Sequence, residues 1–162
     1  MYKKIESHGK NKTNIKPSRL WAKFPTTIRS LVISSHVQAK LAKLATMPGE
    51  SCGTLIGRVN DDRLIVTSVA SYNVIREDKS FSLPISFLFD SINEHRKIYN
   101  QDSLLGIFHT HPDGKTALSE VDLAYAKLYN WIWLIVASVP QDTLYEAYSC
   151  IDQKVLQISV EL

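Results

Sequence analysis

The sequence predicts an α/β fold in which a mixed β-sheet is flanked by helices. Short runs rich in Val, Ile, Leu and Thr, typical of strands, alternate with longer segments whose apolar residues recur every three or four positions, as in helices. The last three strand-like runs are joined by short polar turns, which favours antiparallel pairing at that end of the sheet. The 162 residues, 44% hydrophobic and 22% charged, suit one domain with a full core.

The first half of the chain predicts a strand, a helix and a hairpin. Ser34 or Ser35 can cap the first helix, which carries Val37, Leu41 and Leu44 on one face and stops at a Pro-Gly pair. Two β-rich runs then flank an Asn-Asp-Asp turn, which is a hairpin signal. The elements predicted in this half are strand 29–33, a helix from 34 or 35 to 47, and strands 53–59 and 63–69.

The second half predicts two more helices and four strands. Leu88, Ile92 and Tyr99, with charges between them, indicate a helix, and Ser119 can begin another. Tight turns at 140–142 and 152–153 separate the final strands. The elements predicted in this half are helix 85–99, strand 104–111, helix 119–129, and strands 131–138, 143–150 and 154–160.

The positive net charge of +3 is concentrated at the amino terminus. Residues 1–23 hold seven basic residues and one acidic residue, a net charge of +6, so the remainder carries −3. We expect residues 1–20 to be a basic, disordered tail and residues 21–162 to be the folded domain. A nucleic acid or an acidic protein could bind such a tail. Because no aromatic residues interleave its charges, a solvated arm without a dedicated partner is the preferred interpretation.

Cysteine use and hydropathy indicate an intracellular protein. Cys52 and Cys150 form neither a disulfide framework nor a Cys-x-x-Cys pair, and both lie in apolar surroundings, so we expect buried thiols. The apolar run at 131–137 is too short to span a bilayer, and the amino terminus has no apolar segment typical of a secretion signal. We therefore expect a cytoplasmic protein without a membrane interaction.

One stretch predicts chemistry rather than packing. His109 and His111 follow the apolar run 104–108, and on extended backbone two side chains two residues apart point the same way. Asp122, thirteen residues after the first histidine, could close a site with three ligands and an open fourth position. That pattern is typical of a catalytic zinc centre rather than a structural one.

Each of these residues also has a structural interpretation. Ser119 and Asp122 form a capping-box pattern before an apolar run, which is compatible with metal binding because a carboxylate in the first turn of a helix is fixed in direction. A single strand histidine is usually structural, but a pair weakens that interpretation. Pro112 should end the strand and leave His111 at its edge near solvent. Three other histidines are expected to be surface residues: His8, His36 and His95.

A metal centre also needs a base beside its open position, and Glu50 is the candidate. It lies at the junction between the first helix and the next strand, a position that alone would not select it. No His-Glu-x-x-His helix is present, and the His-x-Glu and Pro-Cys-x-x-Cys pattern of the zinc deaminases is also absent.

Together these residues resemble the JAMM metalloproteases of the MPN-domain family, which includes proteasomal and signalosome deubiquitinases. The chain has His-Thr-His-Pro at 109–112, then Ser119 and Asp122, and upstream Glu-Ser-Cys-Gly-Thr-Leu-Ile-Gly at 50–57 resembles the Glu-x-x-Gly-x-Leu-x-Gly strand of the family. The resemblance covers roughly residues 29–160. Leu118 stands where many members have proline, which affects the loop and no catalytic role.

The resemblance implies a cytidine deaminase-like three-layer sandwich and a site with one zinc ion. By this resemblance His109, His111 and Asp122 are the zinc ligands, Glu50 is the general base and acid, and Ser119 hydrogen-bonds the water and the oxyanion. The implied reaction is isopeptide hydrolysis by a zinc-activated water, without a covalent intermediate.

The implied partners are conjugates of ubiquitin or a ubiquitin-like modifier, and the proteasome is a further candidate. The segments where the family carries insertions, 76–84 and the loop after Pro140, are short, which resembles stand-alone archaeal or bacterial members related to the proteasomal lid deubiquitinase. Two alternatives share the fold: a peptidase that processes a small sulfur-carrier protein, and a non-catalytic MPN scaffold. Because scaffolds usually lose ligands, the intact set here favours an enzyme.

Overall fold

The computed structural model describes residues 20–72 and 83–162, and these form seven strands and three helices in the predicted order. The α/β class is thereby confirmed. The elements are β1 Ser30–Ile33, α1 Ser35–Ala45, β2 Cys52–Asn60, β3 Arg63–Tyr72, α2 Ile85–Arg96, β4 Ser103–His111, α3 Glu120–Ala126, β5 Trp131–Val139, β6 Asp142–Ile151 and β7 Lys154–Glu161.

The strands form one mixed sheet that closes on itself. Their order is β1-β3-β2-β4-β5-β6-β7, and β1 also pairs with β7. Strand β1 runs parallel to β3 and to β7, and β4 runs parallel to β5, whereas the other neighbours are antiparallel. The mixed sheet is confirmed. Its closure was not predicted, because the hydrophobic pattern of a strand does not say which two edges will meet.

The described strands and helices form two hydrophobic cores. The α1 core contains Val37, Leu41 and Ala45 of α1, and the α2–α3 core contains Leu88 and Ile92 of α2 together with residues of α3. The predicted apolar face of α1 is confirmed, with Ala45 more deeply buried than Leu44, which packs against the core from its edge. Helix α1 therefore packs in a different core from α3, the helix that carries Asp122 of the predicted site.

A β-bulge in β4 decides which core each of its side chains meets. Leu55 of β2 pairs with Gly106 and Ile56 pairs with Leu104, so Leu105 is the extra residue. Before the bulge Leu104 packs in the α2–α3 core, and after it Ile107 does so, which reverses the odd–even alternation of the strand. The bulge therefore turns the odd-numbered residues that follow it towards α2 and α3.

Gly106 lies beside this bulge because the neighbouring strand leaves no room for a side chain. A Cβ atom at this position would lie 2.0 Å from the carbonyl oxygen of Ile132 on β5. The close approach of β4 and β5 thus requires glycine here.

Helix α2 ends earlier than predicted. It stops at Arg96, and Tyr99, predicted on its apolar face, is 55% exposed. The prediction that His95 is a surface residue is also wrong: its Nε2 lies 2.7 Å from Oδ2 of Asp102, which is 1% exposed. The Nε of Arg96 donates to the backbone oxygen of Asp102 at 2.7 Å, so the segment between α2 and β4 is hydrogen-bonded to the last residues of the helix.

Other predictions about the outer parts of the domain have mixed outcomes. Residues 1–19 and 73–82, which include all but the last residue of the predicted tail and most of the short segment at 76–84, lie outside the described residues. Leu20, at the end of the predicted tail, is 3% exposed, and its carbonyl accepts a 2.8 Å hydrogen bond from the Leu104 N–H. His36 is exposed, as predicted.

Both cysteines are buried, as predicted. Burial raises the pKa of the Cys150 thiol to about 12. In the described part of the chain, no helix has the length and hydropathy needed to cross a membrane.

Candidate metal centre

The two histidines of the motif lie side by side at the end of β4. Because the bulge has reversed the alternation, His109 and His111 point to the side of the sheet where α3 lies. Their rings are 4.9 Å apart between centroids and nearly perpendicular, at 81°. The predicted common direction of the two imidazoles is confirmed.

The third residue of the motif reaches this site from the first turn of α3. Ser119 caps the helix, and its Oγ accepts a 3.1 Å hydrogen bond from the Asp122 N–H. In return, Asp122 Oδ2 accepts bonds from the Ser119 N–H at 2.9 Å and from the Ser119 hydroxyl at 2.6 Å. The predicted capping box is confirmed, and it fixes the direction of the Asp122 carboxylate.

The three side chains form a compact, buried donor cluster. One donor atom each from His109, His111 and Asp122 lie within 4.8 Å of one another, and the residues are 5%, 7% and 1% exposed. The Asp122 carboxylate lies 3.2 Å through Oδ1 from His109 Nδ1 and 3.5 Å through Oδ2 from His111 Nε2. Two imidazoles and one carboxylate are a donor set that zinc accepts in catalytic sites, so the residues present fit this metal.

His111 is buried, so the prediction that it lies near solvent is wrong. Pro112 does end the strand and is exposed, but the loop after it folds back over the ring. The Nδ1–H of His111 donates to the carbonyl oxygen of Lys115 at 2.8 Å. This bond leaves Nε2 without a proton in the neutral ring and directs it towards Asp122. Metal-binding histidines are commonly oriented in this way, by a carbonyl oxygen that accepts from their other ring nitrogen.

The charges of the cluster favour a bound cation. Burial alone would raise the pKa of Asp122, but hydrogen bonds from His109, His111 and Ser119 outweigh it and hold this pKa far below its ordinary value. The bond to Asp122 raises the pKa of His111, burial opposes the change, and the Lys115 carbonyl adds to it. Asp122 is thus a carboxylate, and a metal ion must displace any proton from His111.

Glu50 reaches the cluster from the segment just before β2, the strand that pairs with β4. It directly precedes Ser51 and β2, and its Oε2 lies 3.0 Å from His109 Nε2. Its side chain is 50% exposed, whereas that of His109 is 6% exposed. A carboxylate at the boundary between the buried cluster and solvent can exchange protons with both.

The structure thus brings all five predicted site residues together: Glu50, His109, His111, Ser119 and Asp122. Sequence reasoning missed the groups that orient them. The Lys115 carbonyl is a backbone atom and carries no sequence signal. Tyr148 of β6, whose Oη lies 2.6 Å from Glu146 Oε2 and 3.2 Å from the Thr116 carbonyl oxygen, braces the same loop from a distant part of the chain.

The family model described as prokaryotic homologs of the JAB domain matches residues 34–151, well over half of the chain. A search of curated proteins found no match. Among solved structures, the chain is similar to the solution structure of protein DSY2949 from Desulfitobacterium hafniense, with a TM-score of 0.66 and 24% sequence identity over 80% of this chain and 90% of that one. This likeness shows a shared fold. The matched residues contain the whole donor cluster and Glu50, and the chain belongs to the family of prokaryotic homologs of the JAB domain.

Proposed function

We propose that this protein is a zinc-dependent isopeptidase. It would hydrolyse the bond between the carboxyl terminus of ubiquitin, or of a ubiquitin-like modifier, and a lysine of a substrate protein. The observation that carries the proposal is the buried cluster of His109, His111 and Asp122 with the Glu50 carboxylate 3.0 Å from His109. A structural metal site would need no half-exposed carboxylate at its edge.

The chain supplies a prepared site for the metal. His109 and His111 would bind through neutral imidazole nitrogens and Asp122 through its carboxylate, which the capping box already holds in place. When bound, zinc would polarise the scissile carbonyl and lower the pKa of a water molecule towards 7. Burial of the ligands keeps competing water away from them.

Glu50 is the proposed proton carrier. Its carboxylate would accept the proton of the attacking water and then deliver it to the nitrogen of the leaving lysine. Its half-exposed position suits both steps, because the water and the leaving amine come from the solvent side.

Ser119 is the proposed donor to the carbonyl oxygen as negative charge develops there. Ser119 is exposed to solvent, but its hydroxyl donates to Asp122 Oδ2, with 2.6 Å between the two oxygen atoms. In the reaction this hydroxyl would have to turn from the carboxylate to the substrate.

The substrate class follows from the family resemblance. Members bind the extended tail of the modifier by adding it as a strand beside the active site. The link between β5 and β6 is only the two residues 140–141, which agrees with a compact enzyme. We further propose a cytoplasmic protein, with modifier conjugates and the proteasome as partners, and the cytidine deaminase-like three-layer arrangement of the family.

The same residues would serve a peptidase that processes a small sulfur-carrier protein, and the short β5–β6 link suits that alternative equally. The two are separated by offering the zinc-loaded protein a Gly-Gly-terminated modifier either on a lysine or as a linear fusion. We expect cleavage of the lysine conjugate and none by Glu50→Gln. Cleavage of linear fusions alone would favour the alternative. If neither substrate is cut, or if the variant equals the wild type, the enzyme proposal is wrong and a scaffold role remains.

A further inference from the structure

Thr110, between the two histidines, makes two hydrogen bonds to one residue of the adjacent chain segment. Its N–H donates to the Ser51 carbonyl oxygen at 2.8 Å, and its Oγ1 accepts from the Ser51 N–H at 2.7 Å. Thr110 is 1% exposed, so solvent does not compete with these bonds. Together they form a clamp between Thr110 and Ser51.

The clamp differs from ordinary strand pairing in one bond. Cys52 is the first residue of β2 and pairs with His109, so Ser51 and Thr110 face each other one step beyond the ladder. In a regular antiparallel pair, the Ser51 N–H would donate to the backbone carbonyl of its partner. Here a side-chain hydroxyl takes that place. The hydrogen bond of the Ser51 N–H therefore depends on the identity of the residue between the histidines.

Glu50 is the residue next to this clamp. On its other side, Gly49 adopts a left-handed φ of +78° and has open space around it, since a Cβ atom there would meet nothing within 4 Å. The Glu50 side chain itself is half exposed. Ser51 is thus the nearest backbone anchor of Glu50, and it is anchored to the strand that carries the two histidines.

We propose that Thr110 is a positioning residue that holds Glu50 beside the metal ligands through the Ser51 N–H. This inference rests on the proposed function, in which Glu50 carries protons. Because the Thr110 hydroxyl bonds to backbone and not to the cluster, it sets the place of Glu50 without contributing to metal binding. Loss of the hydroxyl should therefore change proton transfer and leave the donor cluster intact.

The test compares three variants of the full chain. Thr110→Val removes the hydroxyl at nearly constant shape, whereas Thr110→Ser keeps it. The matched control is Thr54→Val, since Thr54 is also a fully buried strand threonine whose hydroxyl donates, at 3.2 Å, to Ser91 on α2 and not to the site. The readouts are Ser51 amide hydrogen exchange, zinc affinity by chelator competition, and kcat and KM on an isopeptide-linked ubiquitin–lysine peptide.

For Thr110→Val we expect Ser51 amide exchange to be roughly tenfold faster, since the protecting bond is lost. We also expect unchanged zinc affinity and KM, and a kcat lower by about 10- to 100-fold, the cost of a misplaced catalytic group. Thr110→Ser should recover most of kcat, and Thr54→Val should keep the wild-type kcat.

Wild-type kcat or unchanged Ser51 exchange in Thr110→Val would overturn the inference and leave the proposed function standing. An equal loss of kcat in Thr54→Val would also overturn it, because the effect would then be general destabilisation. A wild-type protein that binds zinc but cleaves no conjugate would refute the proposed function, and amide exchange would still decide whether the clamp exists.

Discussion

Substitution of Ser119 by alanine separates its structural contribution from its proposed catalytic one. The change removes the hydroxyl that caps α3 at 3.1 Å and donates to the buried Asp122 carboxylate at 2.6 Å. Loss of an N-cap costs about 1 kcal/mol, and loss of a bond to a charged group costs roughly 1.5 kcal/mol or more when buried. Because Ser119 is exposed, we expect the metal-free protein to lose about 1–2 kcal/mol of unfolding free energy.

The measurement is urea denaturation of the metal-free protein, with Ser34→Ala as the matched control. Ser34 occupies the N-cap of α1 without a side-chain capping bond, so its substitution should cost less. Zinc affinity of Ser119→Ala should fall about 10- to 100-fold, as for other groups that orient a ligand. At saturating zinc, a further loss of kcat of about 100-fold or more would reflect the oxyanion role.

Ser119→Thr keeps the hydroxyl and should restore both stability and zinc affinity. If Ser119→Ala has the unfolding free energy and the zinc affinity of the wild type, the reasoning about the capping box as a support for Asp122 is refuted. If both fall but kcat at saturating zinc does not, Ser119 orients the ligand and takes no part in catalysis.

Three further predictions concern titratable groups. The lowered pKa of Asp122 stabilises the metal-free protein at pH values above 3.8, the ordinary pKa of this group. In acid denaturation, the unfolding free energy should therefore fall as the pH drops below about 4, and a constant value down to pH 2 would contradict this prediction. The raised pKa of His111 stabilises the metal-free protein below pH 6.5, and this contribution to the unfolding free energy is lost as the pH rises through the raised value. Zinc affinity, measured by chelator competition, should increase over the same pH range because the metal no longer has to displace a proton. With a pKa of about 12, Cys150 should resist iodoacetamide at pH 8 in the native protein and react after unfolding; rapid native labelling confirmed at this residue by mass spectrometry would refute its burial.

The predictable parts of this molecule are those with a local cause. The apolar face of α1 follows from side-chain spacing, and the Pro-Gly pair indicates where that helix ends. The shared direction of His109 and His111 also follows from their spacing. The capping box also follows from local sequence, because Ser119 and Asp122 are three residues apart. These features were confirmed within one or a few residues of their predicted bounds.

The features that were missed or wrong depend on distant residues or on backbone atoms. The bulge at Leu105, which turns the histidines towards α3, shows in the sequence only as the glycine that follows it. His95 was predicted on the surface because nothing in the local sequence shows that its ring will be hydrogen-bonded to the buried Asp102 carboxylate. His111 was predicted near solvent because the bond from its ring to the Lys115 carbonyl has no residue-type signal.

The closure of the sheet has a similar explanation. It joins β1 to β7 through pairs such as Leu31 with Val160, which are separated by most of the chain. Local hydrophobic patterns specify that each strand exists and which face is buried, but not the partner of an edge strand.

The most direct test of the central claim is to measure zinc content and isopeptidase activity together in the wild type and in His111→Ala. The control is His36→Ala, since His36 is exposed on α1 and its Nε2 contacts only the Thr67 carbonyl at 2.9 Å among the described hydrogen bonds. We expect about one zinc ion per chain and activity in the wild type and the control, and loss of both in His111→Ala. Activity retained by His111→Ala without zinc would contradict the account.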